Sequence, residues 1–154
     1  MKRLIYSVVM AALVSGCATV QQVPDNPINN SDVINQSRDE VWGAAIAAVS
    51  ERGLPIITAD KNSGIISTQS VELQGGFNIP SRIQKVAYFT YKIIPFRDAR
   101  YSLNVVVSEE SADKTRIIVT AHIEGENYEK WITFKSKGII EQEVIQEIMN
   151  RLKK

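Results

Sequence analysis

Hydrophobic and polar positions alternate most regularly over residues 101–124. The apolar positions are Tyr101, Leu103, Val105 and Val107, followed by Ile117, Val119, Ala121 and Ile123. A period of two places these side chains on one face of each strand and leaves the other face mostly polar. Residues 109–114 form a turn between the two runs. The pattern predicts an antiparallel hairpin that buries one face.

Two stretches show helical periodicity instead. The first covers residues 37–52, where Ser37 followed by Glu40 forms a capping box and Gly53 ends the helix. The second covers residues 136–152, with Glu141, Glu143 and Glu147 placed favourably for the helix dipole. The inner stripe of the first helix consists of Val41, Ala45, Ala48 and Val49, with Trp42 and Ile46 at its edge. The inner stripe of the second helix consists of Ile140, Val144, Ile148 and Leu152, flanked by Ile145 and Met149.

Shorter runs complete the predicted sheet. Residues 32–36 form a short edge strand, residues 54–59 and 65–73 form two strands joined by a turn, and residues 125–135 form a connection. The fold class is therefore α+β, an antiparallel sheet of four or five strands with two helices packed on one face. We expect the following residues to be buried together: Val41, Ala45, Val49, Leu103, Val105, Ile117, Val119, Ile140, Val144 and Ile148.

Residues 77–100 fit this pattern least well. The run Val86–Ile94 is aromatic and β-branched enough for a strand, but Pro80 and Pro95 flank it. We interpret it as a strand or binding arm inserted beside the sheet. Aromatic and arginine side chains dominate binding hot spots, so the candidate partner-binding residues are Tyr88, Phe89, Tyr91, Arg97 and Arg100. The alternative is an extra edge strand whose aromatics pack inward. For Trp131 and Phe134 a core position is favoured over a docking patch.

The N-terminus carries a targeting pattern. Lys2 and Arg3 precede an apolar run from Leu4 to Val14, and Leu13-Val14-Ser15-Gly16-Cys17 follows at its end. This stretch resembles the lipobox of bacterial lipoproteins. The resemblance implies cleavage between Gly16 and Cys17, with a covalent diacylglycerol and an N-acyl lipid on Cys17. Ala18 follows the cysteine, which by resemblance to enterobacterial sorting implies the periplasmic face of the outer membrane. An ordinary secretory signal with a chance cysteine is the alternative.

The predicted organisation is a signal peptide over residues 1–16, a flexible tether over 17–31 and a single α+β domain over 32–154. Within that domain, the capping helix, the strand Leu54–Ala59 and the Asp60-Lys61-Asn62-Ser63-Gly64 turn resemble the repeated domain of BamC-type lipoproteins. The resemblance implies a helix-grip arrangement with a closing helix. It also implies a role in outer-membrane protein assembly, although BamC-type proteins carry two such domains and this chain has one.

Charge and composition exclude several classes of function. Of 18 Lys and Arg residues two belong to the signal peptide, so the mature chain has 16 against 17 Asp and Glu. That balance offers no basic field to attract nucleic acid or anionic lipid. The one cysteine leaves none for a disulfide within the domain. After the signal peptide, no apolar run approaches the roughly 18 residues that a membrane-spanning helix needs.

Catalytic and metal sites are also not indicated. His122 is the only histidine, on the polar side of a strand, so the usual zinc ligand sets are absent. Asp60-x-Asn62 resembles the opening of a calcium loop, but Val71 stands where the twelfth-position glutamate belongs. We therefore expect no enzyme activity, metal or cofactor other than the lipid. The favoured function is a non-catalytic lipoprotein that binds another envelope protein. The alternatives are a periplasmic binder of a small apolar ligand between helices and sheet, and a hydrolase or metal enzyme.

Overall fold

A computed structural model describes residues 27–75, 78–89, 95–128 and 130–153. Within these ranges it has seven strands and three helices: β1 (Ser31–Ile34), α1 (Arg38–Glu51), β2 (Ile56–Asp60), β3 (Ile65–Thr68), β4 (Val71–Glu72), α2 (Ile79–Val86), β5 (Asp98–Ser111), β6 (Lys114–Asn127), β7 (Lys130–Phe134) and α3 (Ile139–Leu152). No helix in these ranges is long and apolar enough to cross a membrane.

All pairings in the sheet are antiparallel, and the strand order is β2-β3-β5-β6-β1. The short strand β4 continues β3 along the edge of β5, and β7 pairs with the part of β6 that β1 does not reach. The predicted α+β class and antiparallel sheet are confirmed. The predicted number of strands is too low. β3 and β4 share one edge of β5, β1 and β7 share one edge of β6, and the periodicity of the sequence does not separate such short strands.

The core lies between one face of this sheet and the helices. All ten residues expected to be buried together are buried, and Ile148 is 0% exposed. Alternate residues of β5 and β6 fill the inner layer, and α1 and α3 pack on them and on each other. Trp42 and Ile46 pack at the margin of the core, as the helical pattern predicted.

Local signals at the start of the domain formed as predicted. Ser37 caps α1, with its side chain accepting from the Glu40 backbone N–H while the Glu40 carboxylate accepts from the Ser37 N–H. The turn after β2 is held by Asp60, whose carboxylate accepts from the Asn62 N–H at 2.9 Å and from the Ser63 hydroxyl at 2.8 Å. These hydrogen bonds lower the pKa of Asp60, the Ser63 hydroxyl contributing most. Asp60 therefore stabilises a hairpin turn.

Residues 77–100 differ from the prediction. Residues 79–86 form a third helix, in which Asn78 caps the first turn and Pro80 lies where the helix needs no N–H donor. The strand predicted from Val86 is wrong at its start because Val86 ends α2, and Ala87 makes only an isolated bridge to Ser136. The prediction for residues 90–94, including Tyr91, lies outside the described residues.

The region after the long hairpin also differs. The predicted connection over 125–135 instead completes β6 and forms β7, and α3 begins at Ile139 after Gly138, whose φ is +83°. Glu141, which the sequence places favourably for the helix dipole, is only 1% exposed. Its side chain faces the gap that β1 and β7 leave along β6, where it accepts the N–H of Ala121 at 3.2 Å.

Candidate functional site

One face of the sheet is not packed against any helix in the described part of the chain. We call it the open face. It comprises the residues of β5 and β6 that alternate with the buried ones: Arg100, Ser102, Asn104 and Val106, and Ile118, Thr120, His122 and Glu124. The register places Arg100 directly opposite Glu124 and Ser102 opposite His122. Because the open face presents charged, polar and apolar side chains in separate groups, it is the main candidate for a functional surface.

Arg100 is the centre of a polar cluster on the open face. Its guanidinium lies 3.6 Å from the centre of the Trp131 ring, and its Nε donates to Glu124 at 2.8 Å. The other oxygen of Glu124 lies 3.4 Å from Nε2 of His122. A cation over an indole and against a carboxylate is held in one orientation by both contacts. We call Trp131, Arg100, Glu124 and His122 the arginine cluster.

Acidic side chains surround the arginine cluster. Asp98 and Glu126 are direct partners across β5 and β6, and Glu126 also pairs with Trp131 on β7. Like charges directly opposite each other on neighbouring strands destabilise a sheet. Glu72 lies beside Arg100 on β4 but binds Arg82 at 2.7 Å. The arginine cluster therefore combines one cation already bound by Glu124 with excess negative charge beside it.

An apolar row crosses the open face farther along the sheet. Ile65 of β3 pairs with Val106 of β5, which pairs with Ile118 of β6. Val33 of β1 lies diagonally from Ile118, because it pairs with Arg116, two residues before Ile118 on the same face. Ile65 and Val33 are exposed, and Val106 and Ile118 are half-buried. Three consecutive strands thus present apolar side chains side by side to solvent. Contiguous apolar surface rimmed by polar residues is typical of interaction sites.

The predicted partner-binding residues do not form one group. Phe89 packs against Phe96 and Phe134, with ring centres 5.5 and 5.6 Å apart. Gly125 leaves room for these rings, because a Cβ there would lie 2.8 Å from Phe96. Phe89 therefore belongs to the core margin, which is the alternative raised from the sequence. Phe134 is buried as favoured, whereas Trp131 lies on the open face and not in the core.

The remaining candidates lie in different places. Arg100 is on the open face, and Arg97 is exposed just before β5. Tyr88 is half-buried on the other side of β7, with the ammonium of Lys137 5.8 Å from its ring centre. Tyr91, Gly16 and Cys17 lie outside the described residues. Sequence reasoning missed Trp131 and Glu124 as partners of Arg100. Extending the hairpin register to 98–127 places Glu124 opposite Arg100, whereas Trp131 joins them only through the pairing of β7 with β6.

A cavity of about 330 Å³ lies at the opposite side of the sheet, where α1 and α2 end and α3 begins. Leu73, Val86 and Ile140 give it an apolar wall, and Arg52 and Lys85 are at its rim. Burial alone would lower the pKa of Arg52, but hydrogen bonds to Glu147 and Glu143 outweigh that effect and raise it. Arg52 thus stays charged and joins the end of α1 to α3, through a 2.7 Å contact to Glu147.

The described residues contain no group of three or more His, Cys, Asp or Glu side chains placed to hold a metal ion. His122 lies on an exposed strand face, 52% accessible, with Glu124 as its acidic neighbour. The arrangement can present hydrogen-bonding and charged groups to a macromolecule.

No protein-family model matches the chain, and no curated protein matches it. Among solved structures, the chain is similar to a TBP-like protein from Parabacteroides distasonis, with 13% identity and a TM-score of 0.44 over 82% of this chain and 96% of that one. It is also similar to a DUF4468 family protein from Bacteroides ovatus, with 10% identity and a TM-score of 0.35 over 70% of this chain and 63% of that one. At these TM-scores neither similarity identifies a family.

Proposed function

We propose that this protein is a non-catalytic lipoprotein, anchored through Cys17 to the periplasmic face of the outer membrane, whose open face binds another envelope protein. The observation that carries the binding role is Arg100 stacked on Trp131 on a sheet face that no described helix covers. The lipobox resemblance of residues 13–17 supports the location. The proposed role is that of an accessory or scaffold protein, with outer-membrane protein assembly as the process that the BamC resemblance favours.

The chemistry of the open face suits a protein partner. Tryptophan and arginine are the residues most enriched among interface hot spots. Trp131 already orders Arg100, and Glu124 holds the same guanidinium, so little side-chain freedom is lost when a partner covers them. The apolar row of Ile65, Val106, Ile118 and Val33 adds area that binding would remove from water.

We also propose that the domain has the helix-grip arrangement of BamC-type proteins. The support is the element order: α1, the β2–β3 hairpin around the Asp60–Gly64 turn, the long β5–β6 hairpin and the closing helix α3. α2 and β7 are additions to the order that the resemblance implies.

The test is site-specific crosslinking in the native envelope. A photo-reactive amino acid at His122 on the open face should yield a discrete adduct with one envelope protein, whereas the same group at Ala112 in the hairpin turn should not. Replacing Arg97→Ala and Arg100→Ala together should lower the adduct at least tenfold, which corresponds to about 1.4 kcal/mol of binding free energy. Arg151→Ala is the matched control, because Arg151 pairs with Glu51 between α3 and α1, away from the open face.

Three measurements make the outcome decisive. Arg100→Ala leaves the Glu124 carboxylate, whose side chain is 14% exposed, without its cation, so the melting temperature of the double variant is measured beside that of Arg100→Lys. Arg100→Lys keeps the Glu124 ion pair while losing the planar contact with Trp131, and should lower the adduct at a melting temperature near that of the wild type. Labelled palmitate should appear on the wild type and vanish in Cys17→Ala. A wild type without palmitate refutes the anchor, and an unchanged adduct in the Arg97 and Arg100 double variant refutes the binding surface.

A second candidate function is the binding of a small ligand in the cavity beside Arg52. Its volume of about 330 Å³ is at the lower limit for small-molecule sites. Glu72, Gln74 and Glu143 contribute to its lining, so an amphipathic ligand fits better than a purely apolar one. Leu73→Trp, which fills the cavity, should leave open-face crosslinking unchanged if the first function is correct. A small molecule that is released on denaturation of the wild type and absent from Leu73→Trp would favour the second.

A further inference from the structure

The cavity of the second candidate function is built from the inner face of the sheet edge and from the ends of helices. Val71 of β4 pairs with Tyr101 of β5, and both side chains pack partly buried against the core. Leu73, Val86 and Ile140 are buried and complete the wall, from the strand edge, the end of α2 and the start of α3. The apolar wall of the cavity therefore belongs to four separate segments of the chain.

The size of the cavity limits what it can hold. Its volume of about 330 Å³, at about 30 Å³ for each water-sized group, accommodates about ten non-hydrogen atoms. Lys85 and Glu143, which line the cavity, are exposed, so the cavity is open to solvent. A ligand of this size would bury an apolar body against the wall and keep a polar group at the solvent-exposed rim.

The charged side chains that line the cavity leave one cation without a partner. Glu143 binds Arg52 at 3.2 Å, and Glu72 binds Arg82 at 2.7 Å. Lys85, in the last turn of α2, forms no ion pair or hydrogen bond with another residue in the described part of the chain. Both acids of the lining are thus paired with arginines, and a ligand with a negative charge would meet an unpaired ammonium.

We propose that this cavity binds a small alkyl carboxylate, with its chain against Leu73, Val86 and Ile140 and its carboxylate beside Lys85. This inference rests on the second candidate function and does not involve the open face. Each CH₂ group that leaves water tightens binding about fourfold. The ion pair with Lys85 adds up to about fivefold, because Lys85 is exposed and water screens its charge. The alkyl chain thus supplies most of the affinity, and Lys85 selects the sign of the charge.

The test compares three eight-carbon ligands that differ only in their polar group: octanoate, octanol and octylammonium. The full-length protein, with isotope-labelled Ile, Leu and Val methyl groups, is titrated in phosphatidylcholine nanodiscs, and empty nanodiscs correct for ligand taken up by lipid. The methyl signals of Leu73, Val86 and Ile140 should shift. Octanoate should bind more tightly than octanol, and octanol more tightly than octylammonium. Hexanoate, which is shorter by two CH₂ groups, should bind roughly tenfold more weakly than octanoate.

Variants isolate the role of Lys85. Lys85→Gln should weaken octanoate binding about threefold to fivefold and leave octanol binding unchanged. Because Lys85 is exposed, its replacement should leave the methyl signals outside the cavity in place. Lys114→Gln, at the exposed start of β6, is the control of equal charge change and should alter the binding of neither ligand.

The proposal is overturned if octylammonium binds as tightly as octanoate, if Lys85→Gln leaves octanoate binding unaltered, or if octanoate does not shift the methyl signals at the cavity. In the last case, a small molecule released from the denatured wild type and absent from Leu73→Trp would keep the second candidate function and refute only the carboxylate. Crosslinking at His122 tests the open face separately, because the cavity lies on the other side of the sheet.

Discussion

The buried carboxylate of Glu141 gives the sharpest test of how this fold is held together. β1 stops pairing with β6 at Ile118, and β7 starts at Ile123, so the N–H of Ala121 faces a gap in the sheet edge. Oε1 of Glu141 accepts that N–H at 3.2 Å, and Oε2 accepts the Ser136 hydroxyl at 2.9 Å. Replacing Glu141→Leu removes both acceptors without changing the size of the side chain greatly.

The expected cost follows from those two contacts. A buried donor left without an acceptor costs about 1–3 kcal/mol. Two such donors are left, and the apolar leucine in the core recovers part of the loss, so we expect Glu141→Leu to lower the free energy of unfolding by about 2–4 kcal/mol. Glu141→Gln keeps an acceptor for Ala121 and offers an amide donor to Ser136, and should cost less than about 1 kcal/mol.

Urea unfolding followed by tryptophan fluorescence measures these differences, provided that the m-value is unchanged. Gln146→Leu, on the exposed side of the same helix, is the matched control and should stay within about 0.5 kcal/mol of the wild type. Amide exchange at Ala121 should be faster in Glu141→Leu than in Glu141→Gln. If Glu141→Leu is as stable as the wild type, the desolvation of the carboxylate cancels its hydrogen bonds, and Glu141 does not stabilise the gap between β1 and β7.

Two further predictions concern the core and the β2–β3 turn. Ile148→Ala removes a side chain that is 0% exposed and should cost about 2–5 kcal/mol in the same unfolding assay; a cost below 1 kcal/mol would contradict its burial. Gly64→Ala should lower the free energy of unfolding by more than about 2 kcal/mol, because the φ of Gly64 is +74° and the new Cβ overlaps the Val107 carbonyl. Gly43→Ala in α1 is the control: its new Cβ meets no atom within 4 Å, so it should raise the free energy of unfolding by about 0.5–1 kcal/mol. Equal effects at the two glycines would refute the close approach at Gly64.

Short-range patterns in the sequence determined the parts of the fold that depend on them. The capping box of Ser37 and Glu40 specifies where α1 begins, because both hydrogen bonds join residues three apart. The alternation over β5 and β6 specifies the buried face of the hairpin, since hydrophobic burial acts on every second residue of a strand. The apolar stripe of α3, including Ile148, follows from helical spacing in the same way.

Tertiary structure decided which of the remaining residues meet. Arg100 and Trp131 are 31 positions apart in the chain and are brought together only because β5 and β7 both flank β6. Glu141 falls within the apolar stripe of α3, four residues before Ile145 and seven before Ile148, but this spacing does not show what its carboxylate binds, which is the N–H of Ala121 in the gap between β1 and β7. Such partners lie in distant segments, so local propensity and periodicity carry no signal for them. The sequence thus indicated the class of fold and Arg100 as a candidate binding residue, and the strand order placed Trp131 and Glu124 beside it on the open face.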